Sequence, residues 1–226
     1  MGIAYALNTG IKRAISSGSE WVITMDQDSV MPQNMISSYI DFLNRSDESV
    51  GVVSPLINMY EGETKNPSNT VSTVSEALTS GSMINCKAYE EVQGFKDEMF
   101  IDVVDFEFCW NVRRHGYKVV QLNNVLMQHH LGNTVEYKIF GKHLFYVTNH
   151  NKLRQYYMTR NMLYLHKEYP EFRPSKIKAF IMWVNTLFKI IFFEKDKLGK
   201  IKAMRLGYVD FLNKRMGECS YSILMK

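Results

Sequence analysis

Two carboxylates separated by one residue follow a short run of β-branched and aromatic residues. The run 21–25 has the composition of a buried strand, and Asp26 and Asp28 come directly after it. If the backbone stays extended there, both side chains point to the same side and could approach one hard cation with its bound phosphates. Mg²⁺ or Mn²⁺ suits such oxygen ligands. The competing interpretation is a solvated turn or a helix cap.

A second acidic cluster lies near the middle of the chain, at Asp105 and Glu107. If a helix begins near Asp105, both carboxylates fall in its first turn, where the helix dipole favours anions, so capping is one interpretation. Four aromatic residues accompany the two acids: Phe100, Phe106, Phe108 and Trp110. A carboxylate against such an apolar wall binds a proton more tightly and could serve as a general base, which is the interpretation we favour.

A glycine and a histidine occupy two further positions that a ligand could approach. A predicted strand contains Gly81, which either permits close approach of a ligand or marks a simple bulge. A later predicted strand is followed by His129 and His130. A single buried histidine is usually structural, yet His129 together with Asp26 and Asp28 could form the first shell of a divalent ion.

Helices and apolar strands alternate through the first half of the chain. Periodicity and turn residues predict helices over 3–17, 33–45 and 87–92, and strands over 21–25, 50–57, 77–85 and 118–128, with a polar loop over 58–72. Such alternation predicts an α/β fold with a mostly parallel sheet flanked by helices, in which ligands bind at the carboxyl ends of the strands. Asp26 and Asp28 lie at such an end.

The formal net charge of +4 over 226 residues hides a strong asymmetry. Residues 1–137 carry 9 Lys and Arg against 17 Asp and Glu, a net charge of −8, whereas residues 138–226 carry 18 against 6, a net charge of +12. The acidic half suits a cation, and the basic half suits an anionic surface. Three widely spaced cysteines without a CxxC pair predict neither a disulfide framework nor a zinc site, and they favour a reducing cytoplasm.

The basic half is predicted to be helical over 150–169, 175–193 and 196–216. The middle segment is apolar and edged with lysines, which suits either a helix at the membrane interface or a buried core helix whose lysines reach water. Its uncharged run, Ala179 to Phe188, is much shorter than the roughly 20 residues of a spanning helix. Residues 1–18 lack the pattern of a signal peptide. Nucleic acid is not expected as a partner, because we recognise no nucleic-acid-binding module.

Taken in order, these residues resemble the inverting family 2 glycosyltransferases with a GT-A fold, and within them the bacterial rhamnosyltransferase-like branch. The matching stretches lie in the family's order: Asn8–Ile11, Met25–Ser29, Thr79–Ser82, Gly94–Phe95, Phe100–Glu107, Arg113–Tyr117 and His129–Gly132. Together they cover about residues 2–135. Downstream, residues 154–161 resemble the Tyr-Tyr-x-x-Arg-Asn segment of this branch.

The resemblance implies a donor and metal site. Asp26 and Asp28 would be the DxD pair that meets the metal, Mg²⁺ or Mn²⁺, and the diphosphate of a nucleotide sugar. Gly81 would lie against the same diphosphate. His129 would contact the metal or the diphosphate, with His130 as the alternative ligand.

The resemblance also implies the catalytic groups and the reaction. Asp105 would deprotonate the acceptor hydroxyl, and Glu107 would take the second acidic place of the motif. Val104 stands where the family has a glutamate, a variation usual in this branch. The reaction would be an in-line displacement at the anomeric carbon that inverts its configuration, with no covalent enzyme intermediate.

Residues 1–137 are therefore predicted to be a partial GT-A catalytic domain, and residues 138–226 a basic α-helical region that contacts a membrane surface or the acceptor. The family's opening strand, nucleotide-binding turn and next βαβ unit would precede Met1. We therefore expect an amino-terminally truncated sheet with an exposed edge and an incomplete donor pocket.

The resemblance predicts transfer of rhamnose or a similar deoxy sugar, from a donor such as dTDP-rhamnose, to a saccharide or lipid-linked saccharide acceptor in cell-surface polysaccharide synthesis. The expected location is cytoplasmic and peripheral on the inner face of the cell membrane. Two other functions compete. One is an inactive remnant or accessory protein that binds a membrane or a partner chain. The other is a metal-dependent phosphohydrolase that uses Asp26, Asp28 and His129.

Overall fold

The computed structural model describes residues 1–46, 49–59, 65–128, 134–140 and 142–225. The chain divides into two compact units. The first consists of Met1–Phe100 and Val104–His130, and the second of Ile101–Val103 and Leu131–Lys226. The three residues that directly precede the second acidic cluster therefore belong to the second unit.

The first unit is built on a mixed sheet. Its strands, as far as the chain is described, are β1 (Trp21–Thr24), β2 (Val50–Asn58), β3 (Val71–Thr73), β4 (Ser82–Asn85) and β5 (Lys118–Gln128). Their spatial order is β1-β4-β2-β5-β3, so β1 lies at one edge. Strands β1, β2 and β5 run in one direction, and β3 and β4 run in the other. The predicted α/β class is confirmed, with three strands sharing a direction in a mixed sheet.

Central strands β2 and β5 pair in parallel and form the middle of the core. Both are rich in Val, Leu and Ile because a central strand that is covered on its two faces has no solvent side. Helix α2 (Met35–Leu43) packs on this core through Met35 and Tyr39, both fully buried. The other helices of the unit are α1 (Ile3–Ser16), α3 (Cys86–Glu91) and α4 (Val104–Arg114).

The structure differs from the sequence-based prediction at the short strands. The strand predicted over 77–85 is reduced to β4, which pairs antiparallel to both of its neighbours. Residues 79–81 form a bend and turn instead, with Gly81 in the left-handed region at φ +79°. Strand β3 (Val71–Thr73) begins within the last two residues of the predicted polar loop 58–72. Such short strands depend on their partners more than on their own propensity.

The second unit combines a β-hairpin with helices. Strands β6 (Val135–Ile139) and β7 (Lys142–Val147) pair antiparallel, in a region for which only helices were predicted. The helices are α5 (Lys152–Glu168), α6 (Lys176–Phe193), α7 (Lys197–Leu212) and α8 (Ser222–Met225). Most of α6 is exposed, and Ile190 is its buried residue, so the interpretation of α6 as a core helix is wrong. In the part of the chain that the structure describes, we find no helix with the length and apolarity needed to cross a bilayer.

Candidate active site

Asp26 and Asp28 lie in a turn just beyond β1. The strand ends at Thr24, one residue earlier than predicted, and the backbone N–H of Ser29 donates to the carbonyl of Asp26 over 3.1 Å. Both aspartates are exposed. The expectation that an extended backbone aligns their side chains is therefore wrong, because a hydrogen-bonded turn sets the spacing of the two carboxylates.

The buried hydroxyl groups of Thr24 in β1 and Ser80 in the loop before β4 hold this turn in place. Thr24 Oγ1 donates to the carbonyl of Thr79 over 2.6 Å. The backbone N–H of Asp26 donates to Ser80 Oγ over 3.3 Å, and Ser80 Oγ donates to Ser29 Oγ over 2.7 Å. Because Ser80 is fully buried, its hydroxyl ties the start and the end of the acidic turn to the interior of the unit.

Gly81 lies beneath the turn with little space around its α-carbon. Its N–H donates to the carbonyl of Thr24 over 2.8 Å, and its carbonyl accepts from the hydroxyl of Tyr39 over 2.8 Å. A Cβ added at Gly81 would lie 2.8 Å from Pro55 Cγ and 3.0 Å from Met127 Sδ. Packing and the positive φ together explain the glycine, and its predicted contact with a diphosphate stays a prediction.

Asp105 occupies the first turn of α4 and is half-buried. It lines a cavity of about 10 Å³ together with Thr24, Thr79, Phe108 and other residues of the first unit. This volume barely admits one water molecule, so a sugar nucleotide does not fit inside it. The cavity nevertheless brings Asp105 next to the same threonines that hold the acidic turn.

Glu107 takes a different position from Asp105. Its side chain is completely buried, and its Oε1 lies 3.8 Å from Nζ of Lys96. Two residues along an α-helix correspond to a rotation of about 200°, so the two carboxylates leave α4 on opposite sides. Asp105 therefore lines the same cavity as Thr24, whereas Glu107 points into the interior.

The predicted metal ligands are only partly within the described structure. His129 and His130 lie outside the described residues. Among the described residues, no group of three or more His, Cys, Asp or Glu side chains is arranged to hold a metal ion. Asp26 and Asp28 offer exposed carboxylate oxygens, which is the donor chemistry that Mg²⁺ and Mn²⁺ prefer.

Asn8 is a structural residue whose role was missed from the sequence. It is buried in α1, and its amide donates to the carbonyl of Phe95 (2.7 Å) and to Asp97 Oδ1 (2.8 Å). Its carbonyl oxygen accepts from the hydroxyl of Tyr89 (2.8 Å) and from the N–H of Phe95 (2.9 Å). Asn8 therefore fixes the turn that contains Gly94, at φ +74°. The available signal was an asparagine on the apolar face of an amphipathic helix.

In the second unit, α5 holds the three residues that precede α4. The guanidinium of Arg154 pairs with the carboxylate of Asp102, and Asn161 Nδ2 donates to the carbonyls of Ile101 (2.8 Å) and Asp102 (2.9 Å). Asp102 and Val103 have φ values of +64° and +66°. Such backbone conformations cost roughly 1–3 kcal/mol each and persist only where surrounding contacts impose them. Arg154 and Asn161 supply those contacts.

Comparison with known proteins gives a family match and similar proteins. Residues 1–106 match the model described as glycosyl transferase family 2. The dTDP-rhamnosyl transferase RfbF of Shigella flexneri is 28% identical over 243 residues, which cover 98% of this chain and 78% of that protein.

Two solved structures are also similar. TarS 1-349 of S. aureus in complex with UDP-GlcNAc is 14% identical, with a TM-score of 0.48 over 92% of this chain and 60% of that chain. The mannosyltransferase PcManGT from Pyrobaculum calidifontis, in complex with GDP-Man and Mn²⁺, is also 14% identical, with a TM-score of 0.46 over 95% and 67%. The chain thus spans three fifths of the length of the TarS chain that it matches.

Proposed function

We propose that this chain, whose residues 1–106 match the model of glycosyl transferase family 2, transfers a sugar from a nucleotide-diphosphate donor to a saccharide acceptor. The observation that carries the proposal is the small cavity shared by Asp105 and Thr24. Thr24 lines this cavity with Asp105, and its hydroxyl donates to Thr79, the residue before the Ser80 that holds the acidic turn. This link supports placing the donor and the acceptor near one another.

Asp26 and Asp28 would bind the donor diphosphate through a divalent cation, with His129 as a further ligand. Their exposed oxygens fit Mg²⁺ or Mn²⁺, whose preferred ligands are carboxylates, water and phosphate oxygens. A cation held there would offset the charge that develops on the departing diphosphate. The buried hydroxyl of Ser80 keeps the turn in one conformation, so the two carboxylates need less reorganisation when they bind.

Asp105 would act as the general base. It would accept the proton of the acceptor hydroxyl while the oxygen of that hydroxyl forms a bond to the anomeric carbon. At the same time the bond from the anomeric carbon to the diphosphate oxygen breaks, and the anomeric configuration inverts. The complete burial of Glu107 and its proximity to Lys96 favour a supporting role for Glu107, in which it fixes α4 rather than touches substrate.

Rhamnose or a similar deoxy sugar is the proposed donor sugar, because RfbF is a dTDP-rhamnosyl transferase by name. The acceptor would be a saccharide or lipid-linked saccharide in cell-surface polysaccharide synthesis. The proposed donor rests on the similarity to that protein and on the resemblance of the motifs, and the proposed acceptor rests on the resemblance of the motifs alone.

Calorimetry of dTDP binding, with and without Mn²⁺, tests the donor site. The Asp26→Asn/Asp28→Asn variant should lose metal-dependent affinity by at least about tenfold, since two oxygen ligands of the cation are replaced. Asp41→Asn/Glu90→Gln removes the same charge from two exposed positions of the first unit and is the matched control. Equal affinity in the two double variants would contradict the proposed donor site.

Transfer from dTDP-rhamnose to acceptor then separates the two acids of α4. Asp105→Asn should leave dTDP binding and stability nearly unchanged and lower transfer by about 10²–10⁴-fold, the usual contribution of a general base. Glu107→Gln should instead lower the free energy of unfolding by about 1–3 kcal/mol, because a buried charged contact is lost. If Asp105→Asn transfers sugar at the wild-type rate, Asp105 is not the base.

A further inference from the structure

The amino-terminal half of α6 is exposed on nearly every side. Every residue from 176 to 185 except Ala179 is exposed, and Ile177 and Phe180 expose 75% and 63% of their surface. Apolar side chains this large are usually buried, so a continuous exposed set on one helix marks an interaction surface.

Seven of the nine exposed large apolar residues of α6 form one stripe along the whole helix. At about 100° per residue, the seven fall within a sector roughly 120° wide. The other two, Met182 and Trp183, lie outside this sector. The seven are Ile177, Phe180, Ile181, Val184, Phe188, Ile191 and Phe192. We call this set the outer face of α6.

Near its carboxyl end, the opposite side of α6 packs against the β-hairpin of the same unit. Ile190 is fully buried, and the ring of Phe193 makes edge-to-face contacts with Tyr137 and Phe145, at centroid distances of 4.7 and 4.9 Å. The core of the unit therefore buries the last turns of α6 on the side opposite the outer face. The outer face is a second apolar surface that this packing leaves exposed.

Basic residues flank the outer face. Lys176 and Lys178 are exposed and lie about 100° to either side of Ile177 on the helix. Residues 172–193 contain four basic residues and no Asp or Glu. A helix with an apolar stripe between lysines has the pattern of one that lies in the plane of a membrane, with its stripe among the acyl chains and its lysines at the headgroups.

We propose that α6 binds the surface of an anionic lipid bilayer through its outer face. Charge decides between lipid and a second copy of this chain. Two outer faces in contact would bring lysines of the same sign together, whereas anionic headgroups complement them. The outer face contains none of the residues assigned to catalysis.

Co-sedimentation of the full chain with lipid vesicles tests this proposal. The chain should bind vesicles of phosphatidylcholine mixed with phosphatidylglycerol, and bind phosphatidylcholine alone much more weakly. The Ile177→Ser/Ile181→Ser variant should lose at least about tenfold in affinity, because two large side chains no longer enter the bilayer. The Lys176→Gln/Lys178→Gln variant should bind more weakly and with less sensitivity to salt.

The matched control is Ile36→Ser/Ile40→Ser on α2. It changes two half-exposed isoleucines at the same helical spacing, 49% and 46% exposed, and should bind vesicles as the wild type does. The proposal is overturned if the wild type does not sediment with anionic vesicles, or if the α6 isoleucine variant binds as the wild type does. Light scattering that finds self-association of the wild type, abolished in the same variant, would instead assign the outer face to a second copy.

Discussion

Replacing Gly81 by alanine tests whether packing beneath the acidic turn requires a glycine. Gly81 combines a positive φ with neighbours at contact distance, and Gly18 is the matched control in the same unit. Gly18 has a φ of +85°, and a Cβ added there would meet nothing within 4 Å. The two substitutions therefore share the backbone strain and differ in the packing.

The expected magnitudes follow from those two contributions. Gly18→Ala should lower the free energy of unfolding by about 1–2 kcal/mol, the cost of a left-handed conformation for alanine. Gly81→Ala adds overpacking against Pro55 and Met127 and should lower it by about 2–5 kcal/mol in total. The difference between the variants isolates the packing contribution.

Urea unfolding followed by tryptophan fluorescence measures this difference. In a Trp183→Phe background the remaining tryptophans, Trp21 and Trp110, both lie in the first unit, as do Gly18 and Gly81. Equal destabilisation by Gly18→Ala and Gly81→Ala would refute the packing argument. A folded Gly81→Ala protein that binds dTDP more weakly than the wild type would support the predicted contact of Gly81 with the diphosphate.

Three further predictions concern other buried groups. Arg160→Lys should lower the free energy of unfolding by about 2–4 kcal/mol in thermal denaturation followed by circular dichroism. The fully buried guanidinium donates to Tyr156, Gly217 and Asn161, and an ammonium group cannot reproduce these hydrogen bonds. The control Arg205→Lys, at an exposed position, should stay within about 0.5 kcal/mol of the wild type. In the same assay, Gly10→Ala in α1 should stabilise by about 0.5–1 kcal/mol, whereas Gly207→Ala should destabilise, since its Cβ would lie 2.5 Å from the carbonyl of Tyr156. Burial raises the pKa of the three cysteine thiols, those of Cys86, Cys109 and Cys219. A disulfide reagent at pH 8 should therefore react slowly with the folded protein and rapidly after denaturation. A fast reaction of any of the three thiols in the folded protein would refute this prediction.

The sequence predicted the long, periodic elements well. Helix α6, predicted over 175–193, spans Lys176–Phe193, and β5, predicted over 118–128, spans Lys118–Gln128. In such segments the hydrophobic period repeats often enough to determine both the type of element and its limits. The candidate aspartates at 26 and 105 likewise lie where a strand ends and where a helix begins.

Strand β3 and the hairpin of β6 and β7 could not be predicted, because other parts of the chain create them. Strand β3 contains three residues and exists through its pairing with β5. The hairpin of β6 and β7 lies before the first helix predicted in the basic half, where no strand was expected. The same limit applies to Asn8, whose four hydrogen bonds reach residues more than 80 positions away. Sequence patterns within one window contain no information about such partners.

The two acidic pairs show why spacing alone does not define a site. Asp26 and Asp28, like Asp105 and Glu107, are separated by two positions, and on an extended backbone each pair would share one side. In the structure the first pair lies in a hydrogen-bonded turn and is exposed. The second lies on a helix, where the same spacing directs Asp105 to the cavity and Glu107 to Lys96. Backbone conformation, rather than the motif, therefore determines which of these carboxylates a substrate could reach.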